Sequence, residues 1–153
     1  MPPVAHRLHL GIYDGAEFAR ELNTAREILS TPPNEPLKIG AGFLGWMLDA
    51  GGKPVDTLHV ALKQRVRSIW LAFGNDLGKW VEYIRRYDLN RTQSHSTLIW
   101  ILVSSVAEAQ VATKEWKADV LVVQGRAHAN VIFPFLKLVH FVNIRDRGRR
   151  AWS

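Results

Sequence analysis

The segment RVRSIWLAFGNDLGKWVEYIRRY, Arg65–Tyr87, contains both halves of the pattern on which the fold depends. Ser68–Phe73 is an apolar run of the kind that forms a buried strand. The three residues after it, 74–76, combine a turn with a helix cap, and an apolar stripe at helical spacing then runs from Leu77 to Ile84. The segment therefore predicts a strand followed directly by an amphipathic helix.

The same strand-then-helix unit recurs along the chain with a period of about 30 residues, shortening to about 20 at the end. The predicted strands are Leu8–Ile12, Leu37–Leu44, Ser68–Phe73, Thr97–Val103 and Asp119–Val123. Predicted helices begin after Asp14 and end before Pro32, run from about Val55 to Gln64, follow Asp76, and extend from Ser105 to about Trp116.

Strands that are apolar throughout, separated by amphipathic helices, indicate an α/β fold with a parallel sheet flanked by helices and covered on both faces. Two architectures share this pattern: an open doubly wound sheet and a TIM (β/α)8 barrel. A complete barrel needs about 200 residues or more, whereas this chain has 153. The chain therefore supplies about five βα units, an incomplete barrel if it belongs to that class.

Composition excludes several classes of protein. The chain has no cysteine, so it cannot form a disulfide framework or a thiolate metal site. It has no apolar run of about 18 residues, which argues against a membrane span, and its first residues do not resemble a secretory signal. The expectation is a soluble cytoplasmic protein with no membrane partner.

The net charge of +6 is concentrated at the C-terminus. Residues 126–153 contain six Lys and Arg and one acidic residue, Asp146, while the two signs nearly balance over residues 1–125. Such a tail can contact phosphates, but a short charged terminus is usually a solvated one. A nucleic-acid partner is therefore not expected.

Three local features of the sequence bear on possible chemistry. GAGFLG, Gly40–Gly45, matches the dinucleotide fingerprint but lacks a long following helix and an acidic residue about 20 positions on, so close packing of its glycines is preferred. The six histidines show no metal-ligand spacing, and no metal site is predicted. Ser105-Val106-Ala107-Glu108 is a capping box, which explains Ser105 without a nucleophilic role.

Three longer segments carry a family resemblance. They are AREILSTPPNEPLKIGAGFLGWMLD, RVRSIWLAFGNDLGKWVEYIRRY and ILVSSVAEAQVATKEWKADVLVVQG, which fall between Ala25 and Gly125. Together they resemble the nitronate monooxygenase (2-nitropropane dioxygenase) family, especially its fungal members. The match covers about Gly11–Gly125, and its strand-end motifs occur in the family's order.

The resemblance implies a barrel that binds FMN at the carboxyl ends of its strands and uses O2 to convert alkyl nitronates to carbonyl compounds and nitrite. The flavin would carry the redox chemistry while the protein supplies orientation and hydrogen bonds. By this resemblance Gln124 and Gly125 match the family's flavin-contacting Gln-Gly pair. By the same resemblance, Gly42 matches a position at which the proteins of the family approach the flavin closely.

The chain departs from the family after Gly125. Val131 occupies the position of the family's catalytic histidine and cannot accept a proton, and His128 lies three residues earlier, so no catalytic residue is assigned. The predicted organisation is a partial barrel domain over residues 1–125 and a divergent basic tail over residues 126–153. Within that tail, residues 131–144 either cover a sheet edge or remain exposed as an apolar patch, and the second arrangement is preferred.

An incomplete parallel sheet has open edges, which favour self-association. The alternative to an enzyme is therefore a non-catalytic α/β fragment or interaction module with a basic tail.

Overall fold

A computed structural model describes residues 14–124 and 140–143. The predicted first strand, Leu8–Ile12, lies outside the described residues. The helices are α1 (Gly15–Ile28), α2 (Gly45–Asp49), α3 (Lys53–Lys63), α4 (Gly78–Asn90) and α5 (Val106–Lys114). The strands are β1 (Leu37–Leu44), β2 (Val66–Ala72), β3 (Leu98–Val103), β4 (Val120–Val123) and β5 (His140–Asn143).

The sheet has the order β1-β2-β3-β4-β5. The first four strands are parallel, and each pairs with the next strand in the sequence. The prediction of an α/β fold with a parallel sheet flanked by helices is therefore confirmed. Because crossovers between parallel strands are right-handed, a sheet whose order follows the chain has its connecting helices on one face.

The hydrophobic core lies between these helices and that face of the sheet. Each of the four parallel strands contributes a buried residue to this face. Ala41, Ile69 and Ile99 are neighbours in the register of the strands, and Leu121 lies one level further along. Phe18, Leu22, Leu58, Leu62, Val81, Ile84 and Ala112 contribute the helical side. Each fully buried Leu or Ile stabilises the fold by about 1.5–3 kcal/mol relative to an exposed one.

The opposite face of the sheet is buried unevenly, since Val122 is buried there whereas one row of residues is half-buried. Gly42, Trp70, Trp100 and Val120 form one row across it, and all four are half-buried. The rings of Trp70 and Trp100 stack with centroids 5.2 Å apart and an interplanar angle of 20°. The helices pack against the alternate residues of these strands, so the two tryptophans lie on the face away from the helices.

Strand β5 comes from the predicted tail. It pairs with β4 in the antiparallel direction, with Leu121 opposite Val142. Four residues of the apolar segment 131–144 therefore cover the edge of β4, where the sequence had favoured an exposed patch. The residues 140–143 share one sheet with the preceding βα units.

The N-terminus of α1 forms as the sequence predicted. The Asp14 carboxylate accepts a hydrogen bond from the Glu17 backbone N–H at 2.8 Å. This bond is the main reason that the pKa of Asp14 lies below its usual value. Phe18 and Leu22 then face the core, whereas Leu29 follows the helix and is exposed.

Candidate functional site

The carboxyl ends of β2, β3 and β4 surround a cavity of about 300 Å³. Its apolar lining is formed by Phe73, Leu77, Ile101, Leu102, Val103 and Trp116. Its polar lining is formed by Asn75, Ser104, Glu108 and Gln124. Parallel α/β sheets characteristically bind ligands at this edge, and a mostly apolar wall with a few polar groups is typical of a ligand site.

Gln124 is the first residue after β4 and is one of the residues that line the cavity. Its backbone N–H donates to the Val103 carbonyl at 2.9 Å, which extends the ladder between β3 and β4 by one residue. The side chain is half-buried. A carboxamide both donates and accepts hydrogen bonds, so Gln124 can bind a ligand edge that presents both kinds of group.

Ser104 and Glu108 form the wall next to Gln124. The Glu108 carboxylate accepts hydrogen bonds from the Ser104 backbone N–H at 2.6 Å and from the Ser104 hydroxyl at 3.0 Å. Ser105 caps α5 by accepting from the Glu108 N–H at 3.2 Å. The predicted cap is therefore present, but the glutamate reaches one residue further back than in a standard capping box. These contacts hold the N-terminus of α5 against the end of β3.

The loop after β2 forms another wall of the cavity. Phe73, predicted as the last strand residue, has a φ of 56° and lies beyond the strand, with 59% of its surface exposed. Its carbonyl accepts a hydrogen bond from the Trp46 N–H at 3.1 Å. A Cβ at Gly45 would lie 2.8 Å from the Gly74 Cα, so the ends of β1 and β2 meet at two glycines. This contact is the close packing expected for the last glycine of GAGFLG.

A polar cluster joins α2 to the start of α4. The Asp49 carboxylate accepts a hydrogen bond from the Trp80 indole N–H at 2.8 Å and forms an ion pair with Lys79 at 2.8 Å. The bond from Lys79, followed by the one from Trp80, holds the pKa of Asp49 below its usual value. The cluster fixes the two elements on either side of the loop that carries Phe73.

Gly42, the other described residue predicted for a flavin site, lies apart from Gln124 in the sheet. Gly42 lies on β1, three strands away from β4. The β4 residue in the same row of the sheet as Gly42 is Val120, which precedes Gln124 by four residues. At about 4.8 Å between strands, this separation is roughly 14 Å across the sheet alone. Gly125, His128 and Val131 lie outside the described residues.

Sequence reasoning missed Phe73, Asn75 and Trp116 as lining residues. Phe73 carried no signal, because an apolar residue at the end of an apolar run is read as strand. Trp116 reaches the cavity through a contact distant in sequence, since a Cβ at Gly78 would lie 2.3 Å from its Nε1. The glycine at the first position of α4 leaves room for the indole.

In residues 14–124 and 140–143, no group of three His, Asp or Glu side chains converges as a metal site would require. No helix within these residues combines the length and apolar character needed to cross a membrane.

Comparison of the chain with family models, with curated proteins and with solved structures found no match.

Proposed function

We propose that the chain is a set of βα units of the nitronate monooxygenase type that binds a flavin, and that Gln124 contacts the isoalloxazine ring. The observation that carries the proposal is the position of Gln124, at a cavity bounded by the carboxyl ends of three parallel strands. The strand order supports it too, because a TIM barrel adds each strand beside the previous one, whereas a doubly wound sheet reverses its order. On this proposal the four parallel strands are a segment of such a barrel.

The cavity fits the ring of FMN better than it fits the whole nucleotide. Its volume of about 300 Å³ is at the lower end of the range for small-molecule sites. Gln124 and Asn75 offer hydrogen bonds to a ring edge, while Phe73 and Trp116 offer aromatic surface. No Lys, Arg or His is among the described residues that line the cavity, so none of them would pair with the phosphate.

The proposed reaction oxidises alkyl nitronates to carbonyl compounds and nitrite. Overall, two nitronate ions and one O2 balance to two carbonyl compounds and two nitrite ions. Bound FMN would supply the electron transfer between nitronate and oxygen. The contribution of this chain would be to orient the ring through Gln124 and to exclude water with the apolar wall of Leu77, Ile101 and Val103.

The test is a titration of FMN with the purified chain, followed through flavin fluorescence, and an assay for nitrite released from propane-2-nitronate in air. Gln124→Ala should weaken FMN binding by roughly five- to tenfold, since one hydrogen bond contributes about 1 kcal/mol. Gln110→Ala, an exposed change on α5, is the matched control and should leave binding unchanged. If the chain neither binds FMN nor releases nitrite above the level of free flavin, the proposal is wrong.

A second candidate is a non-catalytic interaction module that associates with copies of itself. The observation in its favour is that β1 is the terminal strand of the described sheet and pairs on one side with β2. A parallel strand at an edge presents backbone groups that another chain can pair with. Light scattering after size-exclusion chromatography tests it: a monomer at about 100 μM, a concentration at which weak edge contacts would form, rules this candidate out.

A further inference from the structure

The backbone of Phe73 is strained, and the strain is held in place by the surrounding contacts. A φ of 56° lies in the left-handed region, which residues other than glycine adopt at a cost. Phe73 is also one of the most exposed aromatic residues in the described chain, so burial of its ring does not offset that cost. Strained residues of this kind concentrate at sites that bind ligands.

The contacts around Phe73 leave the loop little freedom. The Trp46 N–H donates to the Phe73 carbonyl, and the following residue, Gly74, lies against Gly45 so closely that neither position accepts a Cβ. The Phe73 carbonyl and the residue after it are therefore fixed to the first residues of α2, directly after β1. Phe73 and Trp116 are both lining residues of the cavity.

We propose that Phe73 is a specificity-determining residue of this cavity, where its ring packs against the face of a planar heteroaromatic ligand that is recognised without its phosphate. The inference rests on the proposed flavin function and deepens it. The wall formed by Phe73 selects for a flat ring, and Gln124 and Asn75 recognise its polar edge. Since no described lining residue is cationic, lumiflavin and riboflavin should bind within about threefold of FMN.

The experiment measures the dissociation constants of lumiflavin, riboflavin and FMN for the wild-type chain and for Phe73→Gly, Phe73→Leu and Phe73→Trp. Phe73→Gly removes the ring and relieves the strained φ, so it should weaken flavin binding about three- to tenfold while raising the midpoint of urea unfolding. Phe73→Leu keeps an apolar side chain without a flat face and should also bind more weakly. Phe73→Trp restores a planar face and should bind like the wild type.

Ser30→Gly is the matched control, because Ser30 also has a left-handed backbone, with φ of 48°, but lies after α1 and does not line the cavity. It should raise the unfolding midpoint without changing flavin affinity. Unchanged affinity in Phe73→Gly, or FMN binding more than tenfold tighter than riboflavin, would overturn the inference while leaving the flavin function intact. A wild-type chain that binds none of the three flavins would overturn both.

Discussion

At the scale of single residues, His95 connects the segment before β3 to the start of β2. Its Nε2 lies 3.1 Å from the Val66 carbonyl oxygen, so this nitrogen carries a proton and donates. Burial lowers the pKa of His95 below its usual value of 6.5, and the bond to Val66 and the nearby Asp88 carboxylate oppose this shift in part. The arginines Arg91 and Arg65 act in the same direction as burial.

The lowered pKa predicts a stability change with pH. Because the unfolded chain takes up a proton on His95 more readily than the folded chain, the contribution of His95 is complete above pH 6.5 and is lost as pH falls from 6.5 through the folded pKa. The check is the urea midpoint at pH 7.5, 6.5 and 5.5 (round values about the usual histidine pKa), compared with His95→Gln. The variant should show a shallower decline, and equal slopes would contradict this account.

Asp119 is a second residue whose effect can be measured. It is 3% exposed, and its Oδ2 accepts hydrogen bonds from the Ile99 N–H at 2.8 Å and from Arg85 at 2.6 Å. Arg85 also donates to the Thr97 carbonyl, so one ion pair joins α4, β3 and the residue before β4.

Removing this carboxylate should destabilise the sheet. We expect Asp119→Ala to lower the free energy of unfolding by about 2–4 kcal/mol, since it leaves Arg85 and a buried N–H without their acceptor. Asp119→Asn keeps one acceptor and should cost less. Glu82→Ala, which breaks the exposed pair with Arg86, is the control and should cost below about 0.5 kcal/mol. Similar losses for Asp119→Ala and Glu82→Ala would refute this role.

At the scale of elements, α5 depends on its cap more than the other helices do. It has nine residues, and Ala112 is its one buried residue, so packing contributes little to its stability. Ser105→Ala removes the acceptor for the Glu108 N–H and should lower the unfolding free energy by about 1 kcal/mol. Ser105→Asp, which keeps an acceptor at the cap, should retain most of the stability. Thermal unfolding followed by circular dichroism measures both, and a neutral Ser105→Ala would show that the cap is dispensable.

The sequence predicted four parallel strands and four of the helices because each has a local signal. Leu37–Leu44 was predicted with the observed bounds, since an apolar run between turn residues is sufficient to define it. Helix α2 was missed because five residues are too short to show a helical period. Helix α3 begins at Lys53 rather than Val55 because Gly52 takes a left-handed φ of 69° and the following Pro54 fits the first turn.

The site was less predictable than the fold. Gln124 follows from its position after a strand, but the conformation of Phe73 depends on a contact between Gly45 and Gly74 that no local pattern encodes. Strand β5 depends on its partner as well, since its four residues acquire a strand conformation by pairing with β4. Contacts between distant parts of the chain decide these features, so single-segment patterns do not reveal them.

At the scale of the whole molecule, β5 changes which edges of the sheet are available. It covers β4, so the terminal parallel strand of the described sheet is β1. A chain truncated after Gln124 lacks β5, so both edges of its described sheet, β1 and β4, are parallel strands that can pair with each other from copy to copy. We expect the truncated chain to form large oligomers at concentrations where the full chain does not, measured by light scattering at equal concentration. Identical size distributions for the two chains would contradict this role of β5.

The described sheet ends in two different strands, β1 and the antiparallel β5, and the edge that is used decides the symmetry of an assembly. Head-to-tail growth requires two complementary surfaces on each copy, one donating and one receiving, and it continues without end unless the copies close into a ring. Contact of β1 with β1 of a second copy, around a twofold axis, uses the same edge on both copies and leaves no β1 edge for a third. Contact of β1 with β5 of the next copy joins two different edges and can continue from copy to copy. The first arrangement gives a closed dimer, and the second gives a ring or a fibre.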